Sequence, residues 1–217
     1  EARIPGYIRA ELGDDLLARQ AALAATALAD AERRFNEAAR RQNVAAEWRC
    51  VEGAPVAALG LHARYADVLI AGQHDPSGDD GSDEPGMPER LILAAGRPVL
   101  VVPYAGTFPT IGERVMVAWD ASRLASRAIH DALPLLQTAK KVVVLAVNPR
   151  PSDDGHGDIP SADVCLHLAR HGITAEAQHV CAEDLGAGEM LLSRAADEGI
   201  DLLVAGAYGH PRWRELV

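Results

Sequence analysis

The sequence predicts an α/β protein built from two similar units, each a doubly wound parallel sheet with helices on both faces. Continuous apolar strands, at residues 68–71 and 202–205, alternate with Ala/Leu-rich helical segments. A strand that is apolar on both sides needs cover on both faces, which is typical of parallel sheets. A strand–helix–strand stretch also occurs twice, at residues 44–72 and 173–206, with an Ala-Glu pair in each first strand and an Asp before each second strand. Any two strand–helix–strand units look somewhat alike, so coincidence remains the alternative to a repeat.

The predicted elements follow one order along the chain. A long helix is indicated by apolar residues spaced three and four apart, at Leu17, Ala21, Ala24, Leu28, Ala31, Phe35 and Ala38. It leads to a strand at Val44, a helix, the strand 68–71, a short helix 89–95 and the strand 98–102. Residues 103–112 carry the Pro and Gly punctuation of a linker. A second series then begins with the strand 114–117, the helix 122–137, the strand 142–147 and the helix 161–170, before the second copy of the repeat.

This order divides the chain into two domains, at residues 1–105 and 106–217. The first lacks an opening strand–helix–strand, and the second stops after its fourth strand. Because the first residue is Glu rather than Met, we expect the sequence to be part of a longer chain.

The composition and charge of the chain disfavour some partners and locations. The formal net charge is −10, which disfavours a nucleic-acid partner because phosphate backbones are bound by clustered Lys and Arg. The three cysteines, Cys50, Cys165 and Cys181, form no CxxC pair and favour a reducing, cytoplasmic location. No apolar run approaches the roughly 20 residues that span a bilayer, and no signal peptide is recognised at the first residues. We therefore expect a protein that does not bind membranes.

Three segments carry a resemblance to a known family. VMVAWDASRLASRAIHDALPLL, at residues 115–136, resembles the opening strand and helix of universal stress protein domains. DLLVAGAYGHPRWREL, at 201–216, resembles the fourth strand and the start of the family's nucleotide loop, G-x2-G-x9-G-[ST]. ADVLIAGQHD with PERLILAAGRPVLVVPYAG resembles the end of the first domain in the tandem, two-domain subclass. The resemblance implies Rossmann-like domains of the adenine nucleotide alpha hydrolase-like fold, packed as an intrachain pseudo-dimer, and it leaves a homodimer open.

The resemblance also implies an ATP site in the second domain, with or without Mg²⁺. Asp120 ends the first strand of this domain, and Gly206 and Gly209 follow the fourth, where glycine lets backbone N–H groups approach phosphates. Ala118 stands where many nucleotide-binding members have Pro, and the backbone of Val147 falls where the family contacts adenine. Ligands of open α/β sheets bind at the carboxyl ends of strands where the strand order reverses. Two interpretations of Asp120 stay open, a nucleoside ligand or a cap, for which Ser122 is also suited.

The first domain is not expected to bind ATP at the corresponding loop. Gly72 is followed by Gln73-His74-Asp75 and by the acidic residues Asp79, Asp80, Asp83 and Glu84. These carboxylates would repel phosphate, and their spacing does not match an EF-hand. A solvated loop is the favoured interpretation.

Other chemistries find little support in the sequence. Cys165, His167, His171, His179 and Cys181 are residue types that bind zinc, but their predicted positions do not converge. GxSxG, HExxH and complete P-loop motifs do not occur. No catalytic residue is predicted, and any ATP turnover should be slow. The leading hypothesis is an ATP-binding stress-response regulator, and the alternative is a nucleotide-free scaffold or interaction protein of the same fold. An ATP-using enzyme of the related hydrolase superfamily ranks last because no SGGxDS-type loop follows a candidate strand.

Overall fold

A computed structural model describes residues 14–76, 86–149, 161–181 and 185–207. By its internal contacts the chain divides into two units, residues 1–59 and 60–217. The predicted domain boundary at 105/106 remains a prediction, and the break between the two sheets of the second unit falls between Val102 and Arg114.

The first unit consists mainly of the helix α1 (Asp14–Gln42), which confirms the helix that the apolar spacing predicts. Asn43 follows the last residue of the helix, and its φ of +52° is the left-handed conformation common at this position. The Val44 N–H donates to Ala39 O at 3.1 Å. The rings of Phe35 and Trp48 lie 5.5 Å apart. The strand predicted at Val44 is wrong, because residues 44–50 form no strand. The helix α2 (Pro55–Ala63) follows.

The second unit holds a two-stranded parallel sheet near its start. β1 (Leu69–Gly72) and β2 (Val99–Val102) pair in the register Leu69↔Val99, and the helix α3 (Met87–Ala94) connects them. A methyl group added at Gly60, the first residue of this unit, would lie 3.2 Å from Ala94 Cβ of α3, so the glycine permits this close packing within the unit.

A four-stranded parallel sheet follows. Its strands are β3 (Arg114–Ala118), β4 (Lys141–Val147), β5 (Ala175–Val180) and β6 (Leu202–Val204). The helices between them are α4 (Arg123–Leu136), α5 (Ala162–Arg170) and α6 (Ala187–Asp197). The strand order is β5-β4-β3-β6, and every pairing is parallel. β3, β4, β6, α4 and α5 lie within two residues of their predicted bounds.

Both faces of this sheet are covered. On one face Val115, Val117 and Val144 pack with Ile129 of α4 and Leu168 of α5. On the other face Met116 and Leu145 pack with Leu191 of α6. The five central residues of β4 are all buried. This two-sided core confirms the doubly wound α/β class, and Leu100 of β2 also packs against its first face.

Candidate functional site

The strand order fixes where a ligand site belongs. The chain passes from β3 outward through β4 to β5 and then returns to the opposite side of β3 as β6. The strand order therefore reverses between β3 and β6, where Val117 pairs with Val204. Ligands of such sheets bind beside the carboxyl ends of the two strands at this point. Here those ends are followed by residues 119–122 and 205–207.

A tight turn follows β3 and starts α4. The Ser122 N–H donates to Asp120 Oδ1 at 2.9 Å, and Ala121 between them has a φ of +58°. Ser122 has an extended backbone, and its Oγ accepts from the Ala125 N–H at 3.1 Å. This is the geometry of a helix N-cap. The structure thus assigns the cap to Ser122, while the exposed carboxylate of Asp120 braces the turn that precedes it.

Gly206 packs directly against the start of α4. A methyl group added at Gly206 would lie 2.5 Å from both Ala125 N and Leu124 C, and 2.9 Å from Leu124 O. Distances below 3.0 Å are sterically forbidden, so only glycine fits without a shift of the backbone. The end of β6 and the first turn of α4 therefore meet at Gly206. This packing gives the glycine a role that the sequence prediction, based on phosphate approach, did not include.

The first turn of α4 adds partial positive charge to this edge, beside the carboxylate of Asp120. The N–H groups of Arg123 and Leu124, at the first two positions of the helix, have no partner inside the helix because of helix geometry. The helix dipole adds the equivalent of about half a positive charge at this end. Anions are favoured at such an end.

Ala118 and Val147 also lie at the carboxyl edge of the sheet. Both are half-buried and pack against the cluster of Met116, Leu145 and Leu191, on the α6 face. Trp119, between Ala118 and Asp120, packs instead on the α4 and α5 face, and its backbone N–H donates to the backbone carbonyl of Leu145 at 2.9 Å. Trp119 is not among the site residues that the sequence predicts, although it is next to Asp120 in the chain.

Four of the five predicted site residues therefore share one edge of one sheet: Ala118, Asp120, Val147 and Gly206. Gly209 lies outside the described residues, as do the acidic residues predicted to disfavour ATP in the first domain.

The opposite, amino edge of the same strands is held by Asp201. Its carboxylate accepts four hydrogen bonds, from Thr110 Oγ1 at 2.9 Å, Gly112 N at 3.1 Å, Glu113 N at 3.1 Å and Arg114 N at 2.9 Å. Partial burial alone would raise the pKa of Asp201, but these hydrogen bonds outweigh it and the pKa lies below its usual value. Asp201 thus joins the start of β3 to the start of β6 and fixes the pair of strands that frames the site.

A second acidic residue of the amino edge is paired with a lysine. Lys141 Nζ lies 2.7 Å from Glu198 Oε2, and this hydrogen bond is the largest cause of a lowered pKa for Glu198. Cys165 has a pKa raised by burial, which keeps its thiol protonated and unreactive near neutral pH.

Within the described part of the chain, the cysteine and histidine side chains considered above as zinc ligands do not form a cluster. The rings of His167 and His171 lie 4.9 Å apart on α5. No group of three or more His, Cys, Asp or Glu side chains among the described residues is arranged to hold a metal ion. The helices described here include none that is long and apolar enough to cross a membrane.

Comparison with known proteins gives one informative similarity. No protein-family model matches the chain, and no curated protein matches it. Among solved structures, a universal stress protein from Archaeoglobus fulgidus matches with a TM-score of 0.65 and 16% identity, covering 89% of this chain and 71% of that chain. A protein of the universal stress protein family from Burkholderia pseudomallei matches with a TM-score of 0.35 and 24% identity, over 48% of this chain and 86% of that one. The first similarity establishes a shared fold.

Proposed function

We propose that this chain, which has the fold of a universal stress protein, binds ATP or a related adenine nucleotide beside the carboxyl ends of β3 and β6 and acts as a stress-response regulator. The observation that carries the proposal is the meeting of three features at this edge: the Asp120 turn, the N-terminus of α4 and Gly206. The first is an exposed carboxylate, and the other two pack directly against each other.

The nucleoside half of the ligand would be held by Asp120. Its carboxylate accepts the Ser122 N–H on Oδ1. The side chain is exposed, and it is fixed in direction by the turn. Hydrogen bonds from an adenine amino group or ribose hydroxyls to this carboxylate would be charge-assisted and therefore strong. Ala118 and the backbone of Val147 lie at the same edge and would contact the base.

The phosphate half would lie toward Gly206 and, as the sequence predicts, Gly209. Because Gly206 packs against Leu124 and Ala125, its backbone lies beside the positive end of the α4 dipole. The residues at the edge therefore fit an anion. When bound with the nucleotide, Mg²⁺ would neutralise phosphate charge, and no residue is proposed to catalyse hydrolysis.

The experiment is titration calorimetry of Mg-ATP into the full chain and into Asp120→Asn. Asn retains an oxygen for the Ser122 N–H, so the turn should survive, but it loses the charge and offers an N–H group to the ligand. Binding should weaken at least tenfold, about 1.4 kcal/mol. Asp197→Ala is the matched control, since Asp197 is an exposed aspartate at the end of α6, on the amino edge of the sheet.

The results separate two functions. Micromolar binding that Asp120→Asn weakens and Asp197→Ala leaves unchanged supports the nucleotide site. A folded sample that gives no heat with ATP, GTP or AMP would support the alternative, a nucleotide-free scaffold or interaction protein. The packing of Gly206 against α4 is an observation that favours the alternative, because it explains why a glycine is needed without any ligand.

A further inference from the structure

Two histidines lie side by side on the outer surface of α5. His167 and His171 are one helical turn apart, and the centres of their rings lie 4.9 Å apart at an interplanar angle of 63°. Side chains at positions i and i+4 of a helix are neighbours on one face. Both residues are exposed, so the pair is open to a small ion from solvent.

The backbone that carries this pair is fixed by the packing of α5. Leu168, between the two histidines in sequence, is fully buried in the core, which sets the rotation of the helix. The helix is followed by Gly172 at a φ of +76°, and the Ile173 N–H donates to Leu168 O at 3.1 Å. Gln137 Nε2 of α4 donates to His171 O at 3.3 Å. These contacts hold the backbone of the pair in place before any ligand binds.

The distance between the two rings matches that of two imidazoles bound to one metal ion. A metal ion about 2.1 Å from a ring nitrogen lies about 3.2 Å from the centre of that ring. Two imidazoles that bind one ion at about 90–110° therefore have centres about 4.5–5.2 Å apart. The observed 4.9 Å lies within this range. Imidazole is a preferred ligand of Zn²⁺, Ni²⁺ and Cu²⁺, whereas Mg²⁺ and Ca²⁺ prefer oxygen.

The charge at this end of α5 suits a cation. His171 is the C-cap of the helix, where the helix dipole places the equivalent of about half a negative charge. Asp163 lies one turn before His167, and Arg170 lies in the last turn. Both side chains are exposed and opposite in sign, so their effects on a bound ion oppose each other. The dipole is then the contribution that favours a cation.

We propose that His167 and His171 together bind a late first-row divalent metal ion, of which Zn²⁺ is the representative. Each imidazole supplies one ring nitrogen. Water completes the coordination, since the described residues contain no group of three metal-binding side chains. Two protein ligands with water make an open, exchangeable site rather than a closed structural one. Because α5 ends shortly before β5 begins, the pair lies toward the amino edge of the sheet, away from the proposed nucleotide site and independent of it.

The test is titration of zinc chloride into the full chain at about pH 8, where imidazole is neutral and able to bind a metal ion. The readout is the ring ¹⁵N resonances of the two histidines, assigned by their loss in His167→Gln and His171→Gln. Zn²⁺ should shift both resonances with one shared Kd, and magnesium chloride should shift neither. Either substitution should weaken Zn²⁺ binding to the remaining histidine at least about tenfold, because the second ligand no longer binds within the same molecule. His130→Gln, at an exposed histidine of α4, is the matched control and should change the affinity less than about twofold.

Two double variants separate the spacing of the histidines from their number. Asp163→His in the His171→Gln background again places two histidines one turn apart, and it should recover Zn²⁺ affinity to within about fivefold of wild type. Arg170→His in the His167→Gln background places two histidines next to each other in sequence, where they do not face each other. Its affinity should stay at the level of His167→Gln alone.

Several results would overturn the proposal. No shift of either resonance with excess Zn²⁺ would leave only a ring contact between two histidines. Different Kd values for the two resonances would mean that each histidine binds metal separately. Equal affinity of wild type and the single variants, in samples with matching thermal unfolding, would also reject the pair, as would a failure of the Asp163→His variant to recover binding. Asp120→Asn should bind Zn²⁺ at this pair like wild type, so failure of the nucleotide proposal would leave this one standing.

Discussion

The replacement Gly206→Ala tests the contact that joins β6 to α4. The added methyl carbon would lie 2.5 Å from Ala125 N and from Leu124 C, whereas carbon atoms rest about 3.5–4.0 Å apart. The end of β6 must therefore move by about 1 Å, and the atoms in its way are backbone atoms that cannot rotate aside. Overpacking costs about 1–3 kcal/mol, and a rigid backbone obstacle favours the upper end of that range.

We expect a loss of about 3 kcal/mol in the free energy of unfolding, measured by urea denaturation with circular dichroism. At about 2–4 °C per kcal/mol for a chain of this size, the melting temperature should fall by about 6–12 °C. Gly72→Ala is the matched control, because Gly72 ends β1 at the corresponding place in the repeat. A methyl group there would meet nothing within 4 Å, so the change should stay below about 0.5 kcal/mol.

Equal losses in the two variants would refute the packing argument. A Gly206→Ala protein of wild-type stability that no longer binds ATP would instead assign the glycine to the ligand alone.

The remaining predictions concern the framework around the site. Asp201→Asn should lower the free energy of unfolding by about 2 kcal/mol in urea denaturation, since it weakens hydrogen bonds to a charged acceptor; an unchanged urea midpoint would contradict this. Ser122→Ala should cost about 1 kcal/mol by the same assay, because it removes the N-cap of α4, and an exposed control such as Ser126→Ala should cost less. Folding lowers the pKa values of Asp201 and Glu198. Their contribution to the free energy of unfolding is therefore fully present above the unfolded pKa values near 4, and it is lost as the pH falls through the lower folded pKa values. Stability should therefore decline below about pH 4. Lys141→Met should reduce the part of this decline that comes from Glu198. A pH profile of stability that the substitution leaves unchanged would contradict the pairing of Lys141 with Glu198.

Much of the second unit could be predicted from the sequence because its strands are continuous and apolar. β3, β4 and β6 each begin within one residue of the predicted start, and the core lies where the alternation of strand and helix indicates. The error at Val44 has a physical cause. A strand is stable only when its backbone groups pair with another strand, and local composition does not show whether a partner is present.

The turn after β3 shows a second limit of sequence reasoning. Asp120 and Ser122 are both residue types that cap helices, so composition alone left two interpretations open. The difference lies in geometry: Ser122 is three residues before Ala125, whose N–H it accepts, and Asp120 accepts the N–H of Ser122 itself. The left-handed conformation of Ala121 makes both bonds fit, and nothing in an alanine predicts that conformation.

The two glycines that end the repeated strands show how similar sequence can serve unlike sites. Gly206 lies against the start of α4, where Ser122 is the cap and the helix dipole adds partial positive charge. Gly72 has open space around it, and the helix start near it, at Gly86, carries the carboxylate of Glu89. The first turn of α3 contains the carboxylate of Glu89, whereas the first turn of α4 contains no acidic residue. From this difference we expect an anionic ligand at the β6 edge and not at the β1 edge.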